Sequence, residues 1–172
     1  PRTAGFNSVD YTVILPITAL ITIFLMWVGA SPSSTGGGIK TSAFAIAVMN
    51  VLSIAKGKDR IELYRREIAD DSVRKAFAAI LLSLMVIGIA ITLLTIFEPG
   101  KDMLKIAFEC FSAFGTVGLS MGLTWELTDA SKIVLVATMF LGRVGTLTIF
   151  VAFLRKVYTL SYKYTSENII VG

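Results

Sequence analysis

The sequence predicts an all-α membrane protein built of helix–pore loop–helix repeats: one complete repeat, preceded by the second half of another. Three observations carry this. Hydrophobic residues make up 55% of the 172, and mean hydropathy is +0.76, too apolar for an ordinary soluble domain. The apolar residues fall in runs of membrane-crossing length separated by short polar stretches. Finally, a short pattern, Thr-x-Gly-apolar-small-polar, occurs twice, as Thr3-Ala4-Gly5-Phe6-Asn7 and as Thr116-Val117-Gly118-Leu119-Ser120. The offset is constant, since 116 minus 3 and 118 minus 5 both give 113, and such self-similarity marks a repeat.

Composition narrows the chemistry. Only 16% of residues are charged, and the net charge of +4 is concentrated in loops. It therefore reads as membrane topology rather than nucleic-acid binding. With no His and one cysteine, Cys110, Cys/His metal sites and disulfide frameworks within the chain are excluded. Pro1-Arg2-Thr3, without a basic n-region or an apolar run directly behind it, is not expected to open a signal peptide. A chain starting directly on Thr3 to Asn7 is expected to be the C-terminal portion of a longer polypeptide.

Taken in order, residues 1–55 form the first unit. Thr3 to Asn7 is followed by about seventeen mostly apolar residues, Thr12 to Val28, near the lower limit for a span, with Pro16 where a helix start tolerates it. The stretch Gly29-Ala30-Ser31-Pro32-Ser33-Ser34-Thr35-Gly36-Gly37-Gly38-Ile39-Lys40-Thr41 then interrupts, and apolar helical sequence resumes from Ser42 to Ile54. The two pieces resemble one helix broken by a small, polar loop, tolerated at membrane depth only where it lines a cavity or is buried in protein. A loop of small residues below a filter can obstruct the path and move aside, so Ser33, Ser34, Thr35, Gly36, Gly37, Gly38 and Lys40 are candidate gate residues. An aqueous loop between two short spans is the plainer alternative. A phosphate-binding loop does not fit, because Ile39 separates Gly38 from Lys40.

Residues 56–75 carry seven basic and five acidic side chains. They are expected to form a cytoplasmic helical connector, either a solvated positive-inside loop or a docking surface for a regulator. Residues 76–156 make the complete unit. Ala76 to Phe97 is an apolar run of about twenty-two residues, about 33 Å as a helix. Glu98-Pro99-Gly100 ends it outside. Met103 to Ala113 is too short to cross and is expected to re-enter, its negative C-terminal end facing a cation. Glu109 within it either bonds filter backbone amides or snorkels outward, and a supporting role is expected in preference to contact with the ion. Ser131 to Leu154 is the last apolar run. Arg143 near its middle costs about 2.5–3.5 kcal/mol on insertion scales, so it should face a cavity or partner as barrier or gate latch, or else be satisfied by carbonyls. Gly142 and Gly145 beside it allow close helix approach. Residues 157–172 form a cytoplasmic tail.

The repeated Thr-x-Gly stretches read as ion selectivity filters lined by carbonyls. A cation leaving water needs its hydration oxygens replaced, and a short segment with carbonyls aimed at one axis can do this. Gly adopts the required backbone angles most readily. Thr3, Ala4, Gly5 and Phe6 would supply one segment, and Thr116, Val117, Gly118 and Leu119 the other. Alone, either stretch would be an ordinary glycine turn; the repetition argues for the filter.

The strings Pro1 to Asp10, Gly29-Ala30-Ser31-Pro32, Ser34-Thr35-Gly36-Gly37-Gly38-Ile39-Lys40-Thr41, Phe108-Glu109-Cys110, Ser112 to Ser120 and Gly142-Arg143-Val144-Gly145 resemble the superfamily of Trk, Ktr and HKT potassium transporters, most of all the KtrB-type membrane subunits of bacterial Ktr systems. The resemblance covers essentially the whole chain. It implies potassium uptake through four repeats around one pore in a multi-pass protein of the bacterial plasma membrane. Residues 31–41 would be its intramembrane gating loop and Arg143 a pore-facing residue below the filter. It further implies a homodimer on a cytosolic, KtrA-like ring of nucleotide-binding subunits, with no cofactor in this chain, potassium as cargo and sodium coupling left open. Ser33 departs from the Gly expected there. The competing reading is an inverted-repeat secondary transporter in which Ser33 to Gly38 bind substrate, although the shared polarity of the two motifs favours a rotational pore. A membrane enzyme is set aside for want of a nucleophile–base pair.

Overall fold

A computed structural model describes residues 5–7, 10–29, 31–32, 34–57, 61–63 and 66–145. Among these described residues five α-helices dominate: α1 Pro16–Trp27, α2 Thr41–Ala55, α3 Asp70–Phe97, α4 Met103–Gly115 and α5 Asp129–Val144, with a 3₁₀ turn at Thr124–Glu126. The all-α expectation holds. The described residues also hold a two-residue antiparallel ladder, Glu62–Leu63 against Arg66–Glu67.

That ladder corrects one expectation. The connector at 56–75 is not a helix throughout. A glycine turn at Gly57, with φ +67°, closes α2, and the short ladder follows. Helix starts only at Asp70, six residues before the apolar run. Asp70 and Asp71 occupy its first turn, where acidic side chains meet the positive end of the helix dipole, and Lys75 pairs with Asp71 one turn on. Charged residues thus begin α3 instead of standing apart from it. At 28 residues, α3 is about 42 Å long and, among the described residues, the one helix long and apolar enough to cross a membrane. Its outward face carries Leu81, Leu84, Met85 and Ile89, all exposed. In water such a stripe would be a liability; against lipid it is ordinary.

Helix α4 is short and lies at the centre, packing against α1, α3 and α5. Its N-terminus is capped by Asp102, whose carboxylate accepts from the Leu104 N–H at 3.0 Å. Side chains all round it are buried, including Ile106, Phe108, Cys110 and Phe114. One apolar cluster joins Ile87, Ala90 and Leu94 of α3 to Ile106, Cys110 and Phe114 of α4 and Leu135 of α5. A second joins Ala19, Ile23 and Met26 of α1 to Phe108, Val117 and Met121. A 13-residue helix is about 20 Å long, well short of a hydrocarbon core of about 30 Å, and helices on three sides shield its ends.

The break between α1 and α2 has a closed neck. The Gly29 N–H donates to the Ile39 carbonyl at 2.7 Å and the Ile39 N–H to the Trp27 carbonyl at 3.2 Å. Val28 and Ile39 form a parallel bridge. The chain therefore returns beside its exit point with the same heading, as an excursion from one path and not as a turn between two antiparallel spans. Gly29 makes the neck possible: a Cβ there would lie 2.3 Å from the Gly37 carbonyl oxygen. Phe24, Trp27 and Phe44 cluster around the break, and the Trp27 indole N–H donates to Ser83 Oγ of α3 at 3.1 Å.

Candidate functional site

The two repeated motifs meet. Gly5 has φ +68° and Gly118 φ +85°, the left-handed region that glycine enters without penalty. A Cβ built on Gly118 would stand 2.9 Å from the Gly5 Cα, and one on Gly5 would stand 3.4 Å from the Gly118 carbonyl oxygen. Segments 113 positions apart thus touch backbone to backbone, at the two glycines the pattern singles out. Phe6 beside them is exposed; Thr3 and Ala4 of the first motif lie outside the described residues.

Backbone handedness shapes the second motif. Thr116, which ends α4, sits at φ 52°, ψ 40°, and is the one described non-glycine residue with positive φ. Val117 is not in that region and Gly118 is, so the sign alternates over three residues. In a plain strand successive peptide planes alternate; handedness that alternates instead turns successive planes the same way. Hydroxyls tie the segment down. Ser112 Oγ, one turn along α4 from Glu109, donates to the Leu119 carbonyl at 2.6 Å. That oxygen therefore points at the scaffold.

Glu109 is buried and braces the outer end. Its Oε1 accepts from the Met121 N–H at 3.2 Å and from the Ser120 hydroxyl, and its Oε2 accepts from Thr124 Oγ1 at 2.9 Å. The supporting role expected for this carboxylate matches its contacts. The sequence assigns no individual role to Ser112 or Thr124; the spacing of Ser112 from Glu109, which puts both on one helix face, is the available signal. A cavity of about 410 Å³ opens here, lined by Gly5, Glu109, Ser112, Thr116, Gly118 and Ser120 among others. Among the described residues no group of three or more His, Cys, Asp or Glu could hold a metal ion.

The Gly-rich loop lies directly against this segment. The Gly37 N–H donates to Thr116 Oγ1 at 3.0 Å. A Cβ on Gly37 would meet Thr116 Cγ2 and Oγ1 at 2.9 Å. Lys40 Nζ donates to the Gly36 carbonyl at 2.7 Å and the Ser34 carbonyl at 3.0 Å, so the ammonium cross-braces the loop. Gly36, Gly37 and Ile39 are buried, while Ser34 and Thr35 are exposed; Ser33 lies outside the described residues. On the other side, Gly142 of α5 touches the last turn of α4. A Cβ there would stand 1.9 Å from the Phe114 carbonyl oxygen. Arg143, the next residue, is exposed in the last turn of α5. Motif, loop and Arg143 are thus gathered around the C-terminal end of α4.

A buried central helix, apolar outer faces and a broken helix folded against the α4 terminus define an all-helical membrane protein. A family model described as cation transport protein, TrkH, matches residues 1–159, and the chain belongs to that family of membrane transporters. It is 41% identical over 172 residues to Ktr system potassium uptake protein B of Bacillus subtilis, covering all of this chain and 38% of that protein. It is 40% identical over 177 residues to potassium/sodium uptake protein NtpJ of Enterococcus hirae, covering 100% and 39%. To the Ktr system potassium uptake protein B of Vibrio alginolyticus it is 40% identical over 171 residues, covering 99% and 37%. The chain therefore spans less than two fifths of the length of these relatives.

Proposed function

We propose that this chain supplies one and a half of the four repeats of a potassium uptake pore in the bacterial plasma membrane, as the membrane subunit of a Ktr-type system. The observation that carries the reading is the contact of Gly5 with Gly118. Both glycines have positive φ, as two filter segments facing one axis require. Thr3 to Phe6 and Thr116 to Leu119 would present carbonyls to potassium, with Leu119 the weakest contributor because its oxygen is engaged by Ser112. Ser33 to Gly38, Lys40 and Arg143 would form the gate below. The relatives' names support potassium as cargo, and one adds sodium, so sodium coupling belongs to the question. The protein is a transporter and not an enzyme on this reading. Its partners are the remaining repeats, a second copy, a KtrA-like nucleotide-binding ring in the cytosol and the bilayer; no cofactor or nucleic acid is involved.

The test is rubidium uptake into liposomes holding the full-length protein, with potassium or sodium as competitor, for the wild type and Gly118→Ser. Potassium should compete far better than sodium in the wild type. The variant should lose that preference, because a side chain at φ +85° is strained and its Cβ would press on the Gly5 Cα at 2.9 Å. Equal competition in the wild type, or an unchanged preference in the variant, overturns the filter reading. The broken-helix transporter binding substrate at Ser33 to Gly38 then takes its place.

A further inference from the structure

Thr116 is a β-branched residue in a left-handed conformation, with φ 52°, which such residues rarely adopt. Strain of this kind persists only where the surroundings enforce it. Here the enforcing groups are identifiable. The Thr116 N–H donates to the Ala113 carbonyl at 3.1 Å, and Thr116 Oγ1 accepts the Gly37 N–H. The first bond, together with that from the Val117 N–H to the Ser112 carbonyl at 3.0 Å, belongs to the α4 terminus and closes the helix in a left-handed cap. The second comes from the Gly-rich loop, 79 positions away in the chain. Gly37 has no side chain, and none fits: a Cβ would meet both branches of Thr116 at 2.9 Å and the Phe114 carbonyl oxygen at 3.0 Å. Lys40, bonded to the carbonyls of Ser34 and Gly36, ties the loop around Gly37 together.

We infer that the Thr116 hydroxyl is a latch coupling the loop to the filter, so that withdrawal of the loop releases Thr116 from its strained conformation and remakes the inner end of the ion path. The inference rests on the pore reading and deepens it. Gate and filter become two positions of one device, and loop movement alters ion preference as well as throughput. The hydroxyl then serves the loop through its oxygen and orients the Thr116 backbone, whose carbonyl is offered to the ion.

The latch is tested by a double-mutant cycle in the full-length protein. Thr116→Val keeps the shape and removes the acceptor. Gly37→Ala forces the loop away with every filter residue left unsubstituted. Each alone should raise rubidium uptake and lower the preference for potassium over sodium. The double variant should change them no further than the larger single change, because both break the same contact. Additive effects overturn the latch. A readout free of transport is amide hydrogen exchange over residues 36–38, which in Thr116→Val should quicken about fivefold, the factor that one ordinary hydrogen bond allows; an unchanged rate overturns it. If the wild type carries no rubidium, the pore reading falls while the exchange measurement still decides whether Thr116 holds the loop. Should Gly37→Ala fail to fold, Thr116→Val with the exchange measurement still decides the case.

Discussion

Replacing Gly142 by Ala adds one carbon where the structure has no room. The new Cβ would stand 1.9 Å from the Phe114 carbonyl oxygen and 2.8 Å from its carbonyl carbon. Real Cβ contacts below 3.0 Å essentially do not occur, so helix α5 and the end of α4 must part by about 1.1 Å, the difference of 3.0 and 1.9. The obstacle is backbone in a buried helix end, which cannot swing away as a flexible side chain would. Overpacking of this kind costs about 1–3 kcal/mol. Phe114 lies two residues before Thr116, so the displacement also reaches the filter segment. Gly88 is the matched control. It lies in the middle of α3, exposed, and a Cβ there would meet nothing within 4 Å. Gly88→Ala should be neutral or stabilising by up to about 1 kcal/mol through helix propensity. The assay is thermal unfolding of the purified protein in detergent, paired with rubidium uptake under potassium and sodium competition. Gly142→Ala should unfold at lower temperature and discriminate less between the ions, with Gly88→Ala matching or exceeding the wild type. Equal behaviour of the two variants would refute the close packing of α5 on α4.

Two further perturbations probe the supports of the site. Glu109→Gln puts an amide among three donors, the Ser120 and Thr124 hydroxyls and the Met121 N–H; the clash of donors should cost about 1–3 kcal/mol, read as a lower unfolding temperature with weakened ion preference, and an unaltered transition would show that the carboxylate braces nothing. At the outer turn, Glu98 is held below its ordinary value of 4.5 by the Thr128 N–H first and then by the Thr128 and Ser131 hydroxyls. A depressed folded-state value favours the ionised, folded form, so this contribution is fully present above about pH 4.5 and fades as pH falls through the depressed value. Glu98→Gln should therefore flatten the acid limb of a stability profile run from about pH 7 to about pH 3; a limb as steep as in the wild type removes Glu98 from the acid response.

Much of the molecule was legible in its order of residues. Long apolar runs mark lipid-facing helices because lipid leaves no other way to satisfy backbone and side chains together. Thus α3 was expected within its apolar span, and the short apolar segment before the second motif emerged as the buried α4. The charged stretch before α3 misled, because charge was read as separation from the helix. Asp70 and Asp71 instead stabilise its first turn, a local effect that overrides the hydropathy boundary. The loop at 29–40 illustrates the limit more sharply. Composition marked it as small and polar but left open whether it was an aqueous turn or an excursion from one path. That depended on the Gly29–Ile39 and Trp27–Ile39 hydrogen bonds, formed between residues with no pattern in common.

The sequence by itself determined the class: an apolar, His-free chain of helices with a repeated Thr-x-Gly motif. These are properties of single segments, and segments carry them before folding. Tertiary structure decided what touches what. It set Gly5 against Gly118, Gly37 against Thr116 and Gly142 against the Phe114 carbonyl. A glycine announces only that a side chain is missing. Whether the space serves a turn, a left-handed backbone or the approach of another strand of chain is fixed by the atoms that fill it, and those arrive from 28 to 113 positions away along the sequence only when the helices pack.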